Sequence, residues 1–297
     1  MQIKDEQINT LVEALPYLRD FKGKTVVVKY GGNAMLNDEI KNKVLQDIVF
    51  LRCAGLRPVV VHGGGPEITA MLQKAGKKTQ FVSGLRVTDA ESVGLAEMAL
   101  VGKINTDLVA RLNVLGGAAV GLNGKDANLI QAKKHLADVY ENGEVNLVDI
   151  GYVGNVEHVN TQLINVLLDA DFIPVIAPTG VGPSGETYNI NADSVAGEIA
   201  GALKAEKLLV LTDVKGIYSD YRDESSFIST LTFEKAQELI IRGNIDGGMI
   251  PKVKACITAL SGGAKKTHII DGREEHTILM EIFSDSGVGT EVVKEIK

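Results

Sequence analysis

Short unbroken runs of valine, isoleucine and leucine alternate along this chain with longer stretches whose apolar residues recur every three or four positions. A short apolar run suits a buried strand, while the three-to-four spacing lines one face of a helix. On that basis TVVVKY (25–30) and RPVVVH (57–62) are strands, and DEIKNKVLQDIVFLRCAG between them is a helix ending near Gly55. PEITAMLQKAG follows as a helix with proline in its first turn and glycine at its end. Strands are expected at 172–177, 207–213 and 267–271, and helices at 192–203, 232–243 and 249–261.

Strands with no polar face, separated by helices, predict an α/β protein. Its mostly parallel, open sheet is covered on both sides, as a three-layer αβα sandwich. Residues 118–160 differ, since glycines and the alternation in EVNLVDIGYVG predict hairpins beside that sheet. The Gly/Pro-rich PTGVGPSGET (178–187) is the best boundary between two lobes, roughly 23–180 and 181–297. Before the first strand, Ile8, Leu11, Val12, Leu15 and Leu18 have helical spacing, which Pro16 should kink or break. That amphipathic segment packs either on its own domain or on another subunit.

Composition narrows the class. The chain has 297 residues, 32 of them glycine, which suits many strand-to-helix turns. Aromatics are 5%, tryptophan is absent and the formal net charge is -7, all unfavourable for a nucleic-acid surface. Cys53 and Cys256 have no partner at metal-ligand spacing and read as structural thiols in a reducing, cytoplasmic setting. The N-terminal MQIKDEQINT has no apolar signal core, and no uncharged run approaches a membrane span.

Ligands of open α/β sheets bind beyond the carboxyl ends of strands. Three such ends carry chemistry here: VVVKYGGNA, VVVHGGGPE and LVLTDVKGIYSD. Lys29 lies within the first strand, followed by Gly31 and Gly32, where an ammonium beside bare backbone could neutralise a transferring phosphoryl group. Gly63, Gly64 and Gly65 precede a helix, and successive free N–H groups at a helix start make an anion site. GxxxxGK[ST] is absent, GxGxxG does not follow the first strand, and no GxSxG elbow accompanies the His-Gly-Gly-Gly. SGGAKKT follows a helix, the wrong context for a phosphate loop. Arg86 in GLRVTD offers a fork for a carboxylate, or is a surface arginine. Asn189, Asn191 and Asp193 in YNINAD are more polar equipment than one helix cap requires. Lys252 in GGMIPKVKA sits in a first helical turn, where it opposes the helix dipole unless an anion compensates.

These blocks, with the closing SDSGVGTEVV, occur in one order from residue 25 to the end. Together they resemble the acetylglutamate kinases, a branch of the amino acid kinase family. The resemblance implies transfer of the ATP γ-phosphoryl group, with Mg²⁺, to the side-chain carboxylate of N-acetyl-L-glutamate in arginine biosynthesis. By position, Lys29 and Lys252 would stabilise the migrating phosphoryl group from opposite sides, and Asp193 would orient them. Gly64 and Gly65, helped by Gly31 and Gly32, would meet substrate and phosphoryl oxygens. Arg86 would hold the α-carboxylate, and Asn189 would contact the acceptor. Asp213, Val214, Lys215, Gly216, Ile217 and Tyr218, with Asn244, Ile245 and Asp246, would hold the nucleotide. An ionised carboxylate acceptor needs no general base, so His62 is expected to orient neighbours, and no protein metal cage is expected.

The N-terminal helix and the segment HIIDGREEHTILMEIFSDSGVGT resemble members that form hexamers, as trimers of dimers, and are inhibited by arginine. Tyr17, His268, Glu281 and Gly287 are the expected arginine contacts, and a PII-type signalling protein is a candidate partner. The alternatives are a kinase for an acetylated or carrier-linked α-aminoadipate, one methylene longer, and a non-catalytic arginine or nucleotide sensor.

Overall fold

The computed structural model describes residues 9, 12–35, 37–141, 144–220, 222–284 and 287–295. Ile8 and Leu11 of the expected N-terminal helix, and Asp285 and Ser286 near the C-terminus, lie outside them. Eight strands form the main sheet: β1 (Thr25–Tyr30), β2 (Arg57–His62), β3 (Ala119–Leu122), β4 (Ile173–Ile176), β5 (Lys207–Thr212), β6 (Thr230–Thr232), β7 (Lys266–Asp271) and β8 (Thr290–Val293). Their spatial order is β6-β8-β7-β5-β1-β2-β4-β3. Only the β7–β8 pairing is antiparallel, so the sheet is open and mostly parallel as the apolar runs predict.

Strand β1 is the switch point. The chain adds β2, β4 and β3 on one side of it, and β5, β7, β8 and β6 on the other. A crevice therefore opens beyond the carboxyl ends of β1, β2 and β5. Alternate residues of these strands feed two separate cores. Val27, Val59, Val61 and Val210 join one, Val26, Val28, Val60 and Leu209 the other. The period of two also puts Lys29 on the Val27 face. That face is covered by the helix Ala192–Ala202, whose Val195, Ala196 and Ile199 are fully buried there.

Glycine sets how close the second covering helix, Met249–Gly262, can come. A Cβ on Gly197 would stand 2.6 Å from the Ala255 carbonyl oxygen, and one on Gly201 would stand 3.1 Å from Gly262 Cα. The two helices thus lie nearly backbone to backbone, which brings their first turns, with Asp193 and Lys252, to the same crevice.

The expected hairpin pairs Ile130–Glu141 with Glu144–Val159. With Thr179–Val181 and Thr187–Asn189 it closes into a small barrel beside the main sheet. Near the N-terminus the helix Leu15–Phe21 begins at Ala14 with Pro16 in its first turn, so proline marks a helix start. None of its residues is buried, and Val12 and Leu15 are each 62% exposed. Both cysteines are free: Cys53 is exposed, and burial pushes the Cys256 thiol up to about 12. Among the described residues no helix is long and apolar enough to cross a membrane.

Candidate active site

Each of the three glycines after β2 answers a different constraint. Gly63 packs on Gly31, with 3.4 Å between a Gly63 Cβ and Gly31 Cα, and its N–H donates to the Tyr30 carbonyl at 2.7 Å. Gly64 lies under the π-helical segment Met98–Asn105, where a Cβ would stand 2.4 Å from Ile104 Cδ1 and 2.7 Å from Leu100 Cδ2. Gly65 begins the helix Gly65–Lys74, and a Cβ there would meet nothing within 4 Å. Gly32, at φ 71, turns the chain after β1 in the left-handed region that favours glycine.

The loop's hydrogen bonds show which groups remain for a ligand. The Gly63 carbonyl takes His62 Nδ1 at 2.9 Å, and the Gly64 carbonyl takes the Ile68 amide at 2.9 Å. Arg86 Nη2 donates to the Gly65 carbonyl at 3.1 Å. Among the described residues the amides of Gly64 and Gly65 have no hydrogen-bond partner. They border a cavity of about 280 Å³, lined also by Lys29, Gly32, Arg86, Asn189 and Asp193.

Arg86 is buried, with Nη2 also on Thr69 Oγ1 at 2.8 Å and Phe81's ring 4.9 Å from its guanidinium carbon. Among the described residues no carboxylate pairs with it, and burial lowers its pKa from the ordinary value. A buried guanidinium without a counter-charge suits a ligand carboxylate.

Beside this cavity stands a buried ionic triad. Asn191 caps the helix Ala192–Ala202, its side-chain oxygen accepting from the amides of Asp193 and Ser194. That fixes Asp193, whose Oδ1 is 2.9 Å from Lys29 Nζ and whose Oδ2 is 3.7 Å from Lys252 Nζ. The Lys29 contact is close but not aligned as a hydrogen bond. Burial works against the Asp193 charge, but the two lysines outweigh it and hold its carboxyl below the usual range. Burial lowers the Lys252 pKa, and Asp193 opposes that shift.

Lys252 lines a second cavity, of about 380 Å³, with Asp213, Val214, Gly216, Ile217, Tyr218, Asn244, Ile245 and Asp246. These are the expected nucleotide residues except Lys215, which does not line it. Thr290 holds this loop through the Ile217 amide at 2.8 Å, and a Cβ on Gly216 would strike its hydroxyl. Asp193 thus joins a lysine of each cavity.

Away from both cavities, Glu281 gathers the other expected residues. Its Oε1 lies 2.9 Å from His268 Nδ1 and 3.2 Å from Lys207 Nζ, and its Oε2 accepts the Val288 amide at 3.0 Å. Gly287, at φ 61, leaves room for that carboxylate. Tyr17 reaches the same region edge-on against Phe283, with centroids 6.4 Å apart. Sequence reasoning missed Lys207, an ordinary strand-start lysine by pattern, and the whole π segment, which carries no motif.

Known proteins resemble this chain along nearly its whole length. Acetylglutamate kinase of Moorella thermoacetica is 58% identical over 288 residues, covering 97% of each chain. That of Pelotomaculum thermopropionicum is 55% identical over 290 residues. Among solved structures, N-acetylglutamate synthase from Neisseria gonorrhoeae complexed with coenzyme A and N-acetyl-glutamate superposes with a TM-score of 0.82 at 28% identity. The superposition covers 98% of this chain and 64% of the synthase chain. Carbamate kinase from Giardia lamblia bound to AMP-PNP shares the fold, at a TM-score of 0.64, 19% identity and coverage of 92% and 99%. Residues 24–271 match the amino acid kinase family profile, and the chain belongs to that family.

Proposed function

We propose that this chain is an acetylglutamate kinase, transferring the ATP γ-phosphoryl group to the side-chain carboxylate of N-acetyl-L-glutamate to give N-acetyl-L-glutamyl 5-phosphate and ADP. The observation that carries the residue roles is Asp193, which joins Lys29 of one cavity to Lys252 of the other. Phosphoryl transfer demands mainly positioning and positive charge where charge develops. In this reading ATP occupies the larger cavity, with its γ-phosphate near Lys252 and the N-terminus of the helix Met249–Gly262. The acceptor occupies the smaller cavity, with its α-carboxylate on Arg86 and its reacting carboxylate against the Gly64 and Gly65 amides. Both cavities draw on the strand ends around β1, so the acceptor half (23–180) and the nucleotide half (181–297) meet at the triad. Among the described residues no group of three or more His, Cys, Asp or Glu forms a cation cage. In this reading Mg²⁺ would arrive with ATP and be held chiefly by phosphate oxygens, whose charge it would neutralise.

A regulatory reading rests on the Glu281 cluster and the unburied N-terminal helix: arginine binds between Tyr17, His268, Glu281 and Gly287, and the helix contacts another subunit of a hexamer. The test of both is one assay. Hydroxylamine traps the acyl phosphate formed from ATP with acetylglutamate or the aminoadipate homologue, with and without arginine. Hydroxamate from acetylglutamate, with kcat/KM about 10-fold or more above the homologue, is expected, since one methylene is worth about 1–3 kcal/mol. No product refutes the kinase, and activity indifferent to millimolar arginine refutes the regulatory reading alone.

A further inference from the structure

We propose that Asn105 and His62 form a positioning pair: the Asn105 amide fixes the tautomer of His62, and His62 fixes the Gly63 peptide from which the Gly64 and Gly65 amides are aimed. This deepens the kinase reading, on which the role of those two amides rests.

The orientation of Asn105 is dictated by its neighbours. Its side-chain nitrogen lies 2.8 Å from the Val175 carbonyl oxygen, which can only accept, so that nitrogen is the donor. Its oxygen is turned toward Gly121, where even a Cβ would stand 2.1 Å away. The second proton of the same nitrogen meets His62 Nε2 at 3.1 Å, so Nε2 must accept. A neutral ring then has its one proton on Nδ1, 2.9 Å from the Gly63 carbonyl oxygen. His62 has no exposed surface, and burial pushes its pKa down to about 4, so the ring stays neutral through the physiological range. The Gly63 carbonyl and the Asn105 amide are the polar groups it meets, and no charged side chain among the described residues bears on its titration. The Lys29–Asp193 pair is on the opposite face of the sheet.

Asn105 closes the π segment Met98–Asn105, and Leu100 and Ile104 of that segment press on Gly64. One irregular helical stretch thus holds two successive peptides of the glycine loop, by a hydrogen-bond relay and by packing. A regular α-helical register would shift these three side chains around the helix axis, and π-bulges occur often at functional sites.

Two measurements test the pair. Imidazole ¹⁵N spectra of the wild-type chain should show His62 as the neutral Nδ1–H tautomer from about pH 8 down to about 5. An Nε2–H ring, or an imidazolium in that range, overturns the proposal, and this readout does not depend on any enzymatic activity. Asn105→Asp reverses the demand, because a carboxylate draws a proton onto Nε2. In the folded variant kcat should fall about 10- to 100-fold, the cost of a small misplacement of reacting groups. The KM for ATP should change little, and a new inflection should emerge near neutral pH. Wild-type kcat and pH profile in folded Asn105→Asp overturn the positioning role. If that variant does not fold, His62→Asn, which retains a donor for Gly63, should exceed His62→Ala in kcat by about tenfold or more. Equal kcat in those two variants likewise overturns it.

Discussion

Asp193 and Glu281 are both almost fully buried carboxylates, each set against two basic side chains, and each is held below the ordinary carboxylate range. Their surroundings differ in access. Around Glu281, Lys207 also donates to the Glu281 carbonyl at 3.0 Å and approaches the Phe21 ring, and Val288 supplies an amide, while His268 Nε2 is buried without a hydrogen-bond partner among the described residues. None of Glu281, Lys207 and His268 lines either cavity. Around Asp193, Lys29 is 2.9 Å from the carboxylate without an aligned hydrogen bond, and Lys252 is at 3.7 Å while donating to the Gly248 carbonyl at 3.0 Å. Both lysines border open space. The same ingredients therefore suit a structural tie where they are closed off from both cavities, and a charge clamp where the cations border space open to an incoming anion.

Substituting each carboxylate should separate these roles. Glu281→Gln leaves Lys207 buried beside a neutral amide, and should cost about 3–5 kcal/mol in urea unfolding and abolish any arginine response. Its pH dependence has a definite sign. Burial opposes the Glu281 charge, but His268, the Val288 amide and Lys207 outweigh it and bring the pKa to about 2. Stability from this group is thus full above the ordinary carboxylate pKa of about 4.3 and lost as pH falls toward 2. The acid limb of the stability curve should flatten in Glu281→Gln; an unchanged limb places the acid-sensitive tie elsewhere.

A finer version of the comparison lies within the glycine loop. Gly64→Ala drives a methyl into Ile104 and Leu100, and should cost about 1–3 kcal/mol by overpacking. Gly65→Ala meets no protein atom, so stability should stay within about 0.5 kcal/mol. Its methyl instead intrudes on the proposed acceptor position, raising the KM for acetylglutamate. Equal stability losses in the two variants would erase the distinction between a packing glycine and a ligand-facing one.

How much of this was legible in the sequence depends on the range of the cause. TVVVKY and RPVVVH coincide with β1 and β2 because a strand buried on both faces must be apolar along its whole length. The nucleotide residues near 213–218 and 244–246 could be named from the resemblance, and all but Lys215 line one cavity. The convergence of Lys29, Asp193 and Lys252 was not readable from spacing. It depends on Gly197 and Gly201 letting two helices touch, a contact between segments far apart in the chain. Asn105 left no trace either, since its importance comes from a hydrogen bond to His62 across the fold.

The central claim is that Lys29 and Lys252 act on the migrating phosphoryl group itself. The most direct test measures kcat for Lys29→Ala and Lys252→Ala beside calorimetric Kd values for ATP and acetylglutamate. A stabiliser of developing charge predicts that kcat falls by about 100-fold or more in each variant, with Kd values changed far less. A kcat within twofold of wild type, or a loss confined to Kd, would contradict it.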